Sequence, residues 1–308
     1  MEEISRLLPE RMKEIIIHKI AGRWGQLEEI RLRLDKPIEL NFHHGVEWIK
    51  RVIFNEKDSQ YVLNQLSEHS LYRMEDELRE GYITISGGHR VGLAGEVTTN
   101  LGKMERLKYI TFFNIRIAKE IINIAVPFIP YLHDGKNYFN TIIVGPPQTG
   151  KTTIIRDIAR LIGDGSAKLR NRKVAVIDER SEIAASKNGI PQHLVGLRTD
   201  VMDACPKVDG MMMMIRSMSP DVLIVDEIGK EDDANALMEA IYAGVTIICT
   251  IHGASLEEIR RKPTLQLLFQ HNVFQRIIIL KKVNISDIEL KIYEPKGINI
   301  ATYKVEKR

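Results

Sequence analysis

One octapeptide decides most of what this 308-residue chain can fold into: Gly145-Pro146-Pro147-Gln148-Thr149-Gly150-Lys151-Thr152. It fits the pattern G-x-x-x-x-G-K-[ST], and its flanks are the ones the pattern requires. An apolar strand ends at Val144, and a helix with Ile154, Ile155, Ile158, Ala159 and Ile162 on one face begins after the loop. Glycines let the backbone curl until successive N–H groups and the helix N-terminus point at a single anion. Lys151 is therefore expected to reach the β and γ phosphates of ATP, and the Thr152 hydroxyl to hold Mg²⁺, with Thr153 joining the loop in the nucleotide contact.

A second signal lies downstream. Val222-Leu223-Ile224-Val225-Asp226-Glu227 is a strand apolar throughout, hence buried on both faces, that ends in two carboxylates. This is the Walker B pattern. Asp226 is expected at Mg²⁺ and Glu227 at the attacking water as general base, a pair that points to hydrolysis rather than to static binding. Three positions carry less. Val174-Ala175-Val176-Ile177-Asp178-Glu179-Arg180 ends another buried strand, placing Asp178 and Glu179 on the same sheet edge. Thr250-Ile251-His252-Gly253 does likewise for the His252 imidazole, and Arg216 precedes the acidic strand. For each of these a capping or core-satisfying role and a catalytic one both stand open.

Beyond residue 135, strand-like and helix-like segments alternate from Tyr138 to Lys262, which argues an α/β domain with a mostly parallel central sheet covered on both faces. The part before it reads as a smaller α+β domain. Its segments are a helix over Ser5 to Ile20, strands over Gln26 to Leu34 and Ile38 to Phe42, helices at Asp58 to Leu71 and Glu75 to Arg79, a hairpin turning at Gly87-Gly88, and a strand over Phe112 to Lys119. The Pro-punctuated stretch Val126 to Pro130, followed by His133-Asp134-Gly135-Lys136-Asn137, reads as the linker, so domains of 1–135 and 136–308 are expected. Met211 to Met214 read as one turn of a buried helix.

Composition narrows the partners. With 44 basic and 41 acidic residues the net charge is +3, which gives no electrostatic case for nucleic acid or an anionic membrane. Cys205 and Cys249 form no C-x-x-C pair, so neither a disulfide framework nor a zinc knuckle is expected, and a reducing cytoplasm fits. The charged start Met1-Glu2-Glu3-Ile4-Ser5-Arg6 does not read as a signal peptide, and every apolar run is broken before the roughly 20 residues of a membrane span. Any membrane association is thus expected to be peripheral.

From Val144 onward the chain resembles the secretion ATPases of the RecA-like P-loop class, the hexameric motors of type II and type IV secretion and pilus systems. The resemblance rests on the P-loop, or Walker A, at Gly145 to Thr152, on Asp178-Glu179, on Arg216-Ser217-Met218-Ser219-Pro220-Asp221 and on Thr250-Ile251-His252. Asp226-Glu227 departs from the Gly-Glu usual in those motors, and a four-cysteine zinc module is lacking. Over nearly its whole length the chain resembles the stage III sporulation protein AA family, through Glu28-Glu29-Ile30-Arg31-Leu32-Arg33, Gly81-Tyr82-Ile83-Thr84, His89-Arg90-Val91-Gly92-Leu93-Ala94-Gly95, Asn114-Ile115-Arg116-Ile117-Ala118, Val176 to Glu182 and Val195-Gly196.

The resemblance implies an ATPase on the mother-cell side of the membrane, energising a channel into the forespore. It also implies a homo-oligomeric, hexameric ring, a membrane-protein partner of the sporulation channel, and catalytic roles for Glu227, Lys151, His252, Arg216 and Glu179. A motor arginine supplied from the N-terminal part of such rings would be Arg90 or Arg116, reaching an ATP site in its own or a neighbouring subunit. Two other classes remain. A RecA-like nucleic-acid-dependent ATPase would use the basic clusters Arg170-Asn171-Arg172-Lys173 and Arg260-Arg261-Lys262, but these lack interleaved aromatics, and no nucleic acid is expected. A non-catalytic nucleotide sensor would have no need of Glu227.

Overall fold

The computed structural model describes residues 2–67, 78, 81–100, 103–165, 170–284 and 287–306. The chain divides into two compact units, Met1–Lys119 and Glu120–Arg308.

The first unit is an antiparallel sheet backed by helices. Its strands are β1 (Leu27–Arg33), β2 (Pro37–Phe42), β3 (Gly45–Ile53), β4 (Tyr82–Thr84), β5 (Arg90–Asn100) and β6 (Lys103–Arg116), ordered β3-β2-β1-β6-β5-β4. Alternation in β1 buries Leu27, then Ile30 and Leu32; the one-residue slip coincides with a register shift between Leu27 and Glu29. Glu29, Arg31 and Arg33 are left for the other face. The expected helix over Ser5 to Ile20 is two helices, α1 (Glu2–Leu7) and α2 (Glu10–Ile20), because Pro9 cannot donate an N–H inside a helix and caps α2 instead. Ile4, Leu8, Met12, Ile16 and Ile20 recur every four residues and are all buried against the sheet.

The third helix, α3 (Glu56–Leu66), starts at a capping box. Asn55 accepts from the Asp58 N–H at 3.1 Å, and Asp58 accepts from the Asn55 N–H at 2.8 Å. Such a cap contributes about 1 kcal/mol. The expected helix at 75–79 falls, apart from Leu78, outside the described residues. The strand expected over Phe112 to Lys119 is the end of the longer β6, which stops at Arg116. Gly87-Gly88 belongs to a short 3-10 turn between β4 and β5.

The second unit carries an eight-stranded sheet ordered β14-β13-β12-β7-β11-β10-β8-β9. The strands are β7 (Thr141–Val144), β8 (Val174–Asp178), β9 (Thr199–Asp203), β10 (Val222–Val225), β11 (Thr246–Ile251), β12 (Arg276–Lys282), β13 (Asp287–Tyr293) and β14 (Asn299–Glu306). From β12 to β9 all pairs are parallel; β13 and β14 add an antiparallel edge, so the sheet is mixed rather than mostly parallel to its end. Continuous apolar strands are explained by two cores. Ile142, Val144, Ala175, Ile177, Leu223 and Val225 point to the face covered by α5 (Lys207–Met218) and α6 (Glu231–Tyr242). Ile143, Val174, Val176, Val222 and Ile224 point to the face covered by α4 (Lys151–Asp164).

The division falls earlier than the sequence reading placed it. Ala125, Phe128 and Leu132 are fully buried in the core that contains Ile154 and Ile158 of α4. Asp157 on α4 also accepts from the N–H groups of Asn123 at 3.1 Å and Ala125 at 2.8 Å. Pro127 and Pro130 break secondary structure without making a linker. In the methionine run, Met211 and Met214 are buried while Met213 is exposed, as helical spacing requires. Among the described residues no helix is long and apolar enough to cross a membrane.

Candidate functional site

Parallel pairing brings four strand ends to one edge of the sheet. Val144 of β7 pairs with Ile251 of β11, and Val225 of β10 pairs with Cys249 on one side and Ile177 of β8 on the other. The residues that follow, Gly145, His252, Asp226 and Asp178, therefore emerge side by side, where ligands of open α/β sheets bind.

The loop Gly145 to Thr152 has the shape its glycines allow. A Cβ on Gly145 would sit 2.6 Å from Thr149 Oγ1, so only glycine fits there, and Gly150 opens α4 at φ 85°. Gln148 takes the left-handed φ of 62° without being glycine. Thr149 Oγ1 donates to the Pro146 carbonyl at 2.7 Å, fixing the curl, while Pro147 and Gln148 face outward. No side chain caps the N-terminus of α4, which leaves its first N–H groups aimed into the loop.

Lys151, only 5% exposed, donates from Nζ to the carbonyls of Gly145 at 2.9 Å and Pro146 at 3.0 Å. Burial lowers its pKa below the ordinary lysine range, against the pull of Asp226, Glu227 and Glu182. The same Nζ lies 3.1 Å from His252 Nδ1, and His252 Nε2 lies 2.9 Å from Glu227 Oε1. Both contacts are satisfied when Nε2 carries the proton, so the ammonium donates to Nδ1 and the imidazole donates to Glu227.

Thr152 Oγ1 donates to Asp226 Oδ2 at 2.8 Å, and Thr250 Oγ1 hydrogen-bonds Asp226 Oδ1. A hydroxyl and a carboxylate converging on one spot are hard oxygen donors of the kind that would suit Mg²⁺. Glu227 is held by its backbone: its N–H reaches Thr250 Oγ1 at 2.8 Å, and its φ is 52°. Lys151, Thr152, Asp226, Glu227 and His252 thus form one contact network, with Thr250 at its centre. Sequence reasoning quoted Thr250 without assigning it a role; a hydroxyl at the penultimate position of a buried strand is the signal it offered.

The remaining expected residues lie elsewhere. Glu179 pairs with Lys207 at the start of α5, not with the network. Arg216 is exposed in the last turn of α5, which leads into the opposite end of β10, so it does not join this cluster within the chain. Thr153 lies in the first turn of α4, half-buried. Arg90 and Arg116 face each other across β5 and β6 in the first unit; Arg90 lies over the Tyr82 ring at 4.8 Å, and Arg116 lies 3.8 Å from Glu29.

Asp178 is 1% exposed and accepts from the N–H groups of Glu182 at 2.8 Å, Ile183 at 3.0 Å and Ala184 at 2.8 Å. Burial raises its pKa from 3.8 to about 6, outweighing those donors. The folded chain then holds more protons here than the unfolded chain between those two values. The group's contribution to stability is therefore full below the lower one and is lost as pH rises through about 6. Chemical denaturation at a series of pH values should show this slope in the wild type, and Asp178→Asn should remove it; an unchanged slope would mean that Asp178 does not titrate there.

The family description "Sporulation stage III, protein AA" matches residues 1–300. The chain is 45% identical over 297 residues to Stage III sporulation protein AA of Bacillus subtilis (strain 168), covering 96% of each. Among solved structures it shares the fold of the pilus retraction motor PilT with bound ADP, at TM-score 0.64 and 17% identity over 91% of this chain and 82% of that one. It also shares that of the Legionella pneumophila ATPase DotB, at TM-score 0.57 and 13% identity over 93% and 82%. Full-length family agreement together with the close Bacillus relative leaves one conclusion: the chain belongs to the stage III sporulation protein AA family.

Proposed function

We propose that this chain is a Mg²⁺-dependent ATPase of the RecA-like P-loop class. In this reading it is a motor subunit that works as a homo-oligomeric, hexameric ring on a membrane-protein partner of the sporulation channel, from the cytoplasmic side of the mother cell. The observation that carries the reading is the closure of the loop lysine, the loop threonine and the acidic strand end into one network through His252 and Asp226. Thr152 and Asp226 would hold Mg²⁺, which supplies charge neutralisation on the phosphates. Lys151 would exchange the Gly145 and Pro146 carbonyls for phosphate oxygens. Glu227 would accept the proton of the attacking water. One or both of Arg90 and Arg116 would reach an ATP site of the assembled ring, their own or a neighbour's.

The ATPase reading and the ring reading separate in one experiment. Phosphate release per subunit is measured with Mg²⁺ and with a chelator over a range of protein concentrations, alongside oligomeric mass with and without a non-hydrolysable ATP analogue. Mg²⁺-dependent turnover that rises with concentration, in step with mass, is expected, and Arg90→Ala or Arg116→Ala should flatten the rise. Absence of Mg²⁺-dependent turnover at every concentration would overturn the ATPase. Full turnover from a monomer would overturn the ring and the trans arginine.

A further inference from the structure

Glu227 has a second partner besides His252, from a strand that neither nucleotide motif contains. Arg180, just past the end of β8, places Nη1 2.8 Å from Glu227 Oε2. His252 on the β11 side and Arg180 on the β8 side thus take one carboxylate oxygen each. The Arg180 side chain is 65% exposed, and an ion pair of that kind contributes little to stability.

The turn that carries Arg180 is nevertheless fixed from every side. Asp178 gathers the N–H groups of residues 182 to 184. Arg156 of α4, on the helix that opens with Lys151, donates to the carbonyls of Glu182 and Ile183. Ser181, at a left-handed φ of 51°, donates from Oγ to Asp203 at 2.8 Å, and Glu179 is paired with Lys207. A surface ion pair has no use for such anchoring. A cation whose distance to a reacting group matters does, because misplacement is what costs rate.

We propose that Arg180 is a further catalytic residue, one that exchanges Glu227 for the γ-phosphate of ATP when that charge arrives; the inference rests on the ATPase reading above. The guanidinium is a planar fork that suits phosphate oxygens, and its long exposed side chain can swing without disturbing the anchored turn. As it leaves, Glu227 Oε2 is freed for water. The water oxygen bonds to the γ-phosphorus, and the bond to the β–γ bridging oxygen breaks with its electron pair going to ADP. The water proton passes to Glu227, and inorganic phosphate departs. Arg180 meets the charge developing on the γ oxygens and releases the base in one movement. Because Arg180 comes from the same chain as Lys151, this contribution does not wait for a neighbouring subunit.

The test uses full-length Arg180→Ala and Arg180→Lys, with steady-state kinetics, affinity for ADP and for a non-hydrolysable ATP analogue, and thermal melting. Arg180→Ala should lower kcat about 100-fold. It should weaken the analogue about 10-fold while leaving ADP affinity and melting unchanged, and Arg180→Lys should recover part of both losses. Turnover kept or raised in Arg180→Ala, while the wild type hydrolyses ATP, overturns the proposal; so does an equal loss of ADP and analogue affinity, which marks a structural role. A wild type that binds the analogue but never turns over overturns the ATPase reading itself, and the proposal with it.

Discussion

Glu227→Gln should bind ATP and fail to turn it over, with kcat falling by about 100-fold or more as the proposed general base is lost. The amide keeps the length of the side chain and, through Oε1, the contact that His252 Nε2 makes at 2.9 Å. Its NH₂ group would face the Arg180 Nη1 that now sits 2.8 Å from Glu227 Oε2, so two donors would meet and that arginine would turn away. Binding should therefore survive the change and the chemical step should not. Single-turnover phosphate release beside equilibrium ATP binding separates the two; wild-type turnover in this variant would take the base assignment from Glu227.

Lys151→Ala should lose both binding and turnover, the latter by about 100-fold or more, because it removes the one loop cation that the proposed function assigns to the phosphates. Its effect should reach the fold as well. Lys151 is 5% exposed and satisfies the carbonyls of Gly145 and Pro146 together with His252 Nδ1. Deleting the ammonium removes a donor from three acceptors, of which the Gly145 carbonyl keeps only the long bond from the Gly253 N–H at 3.5 Å, a loss of about 1 to 3 kcal/mol. Nucleotide affinity, turnover and melting temperature should all fall together. Retained ATP affinity with normal turnover would place the phosphate site elsewhere.

The sequence was most readable where one pattern answered to one physical demand. The glycine-lysine loop, the acidic strand end and Thr250-Ile251-His252 each follow a buried strand, and parallel pairing carries them to one edge, so local patterns became a shared site. Glu179 and Arg216 were harder to read. Which side chain a strand end presents depends on the next turn, and Asp178 bends that turn by collecting three N–H groups. Glu179 is delivered to Lys207, and Arg180 takes the place beside Glu227. Arg216 was judged by its nearness to Walker B in the chain, yet a helix that feeds a strand ends at that strand's far end.

The domain boundary failed for a related reason. Proline and glycine around residue 130 mark the end of regular structure, whereas burial decides membership, and Phe128 and Leu132 are fully buried beside α4. Strands β12 to β14 went unread because they lie past the last motif. The seven residues of β13 alternate between half-buried and buried positions, without a chemical signal to single them out.

Gln148 at φ 62°, Ser181 at 51° and Glu227 at 52° are L-residues in a backbone region that glycine enters freely, and all three belong to loops at one sheet edge. Each such residue costs the fold about 1 kcal/mol. This edge is consequently where the chain's architecture and its chemistry have opposed interests. A lineage released from any need for turnover would gain stability by letting these positions drift to glycine or asparagine, Glu227 among them. Side chains kept at such angles on this one edge are what the proposed chemistry would demand of the backbone.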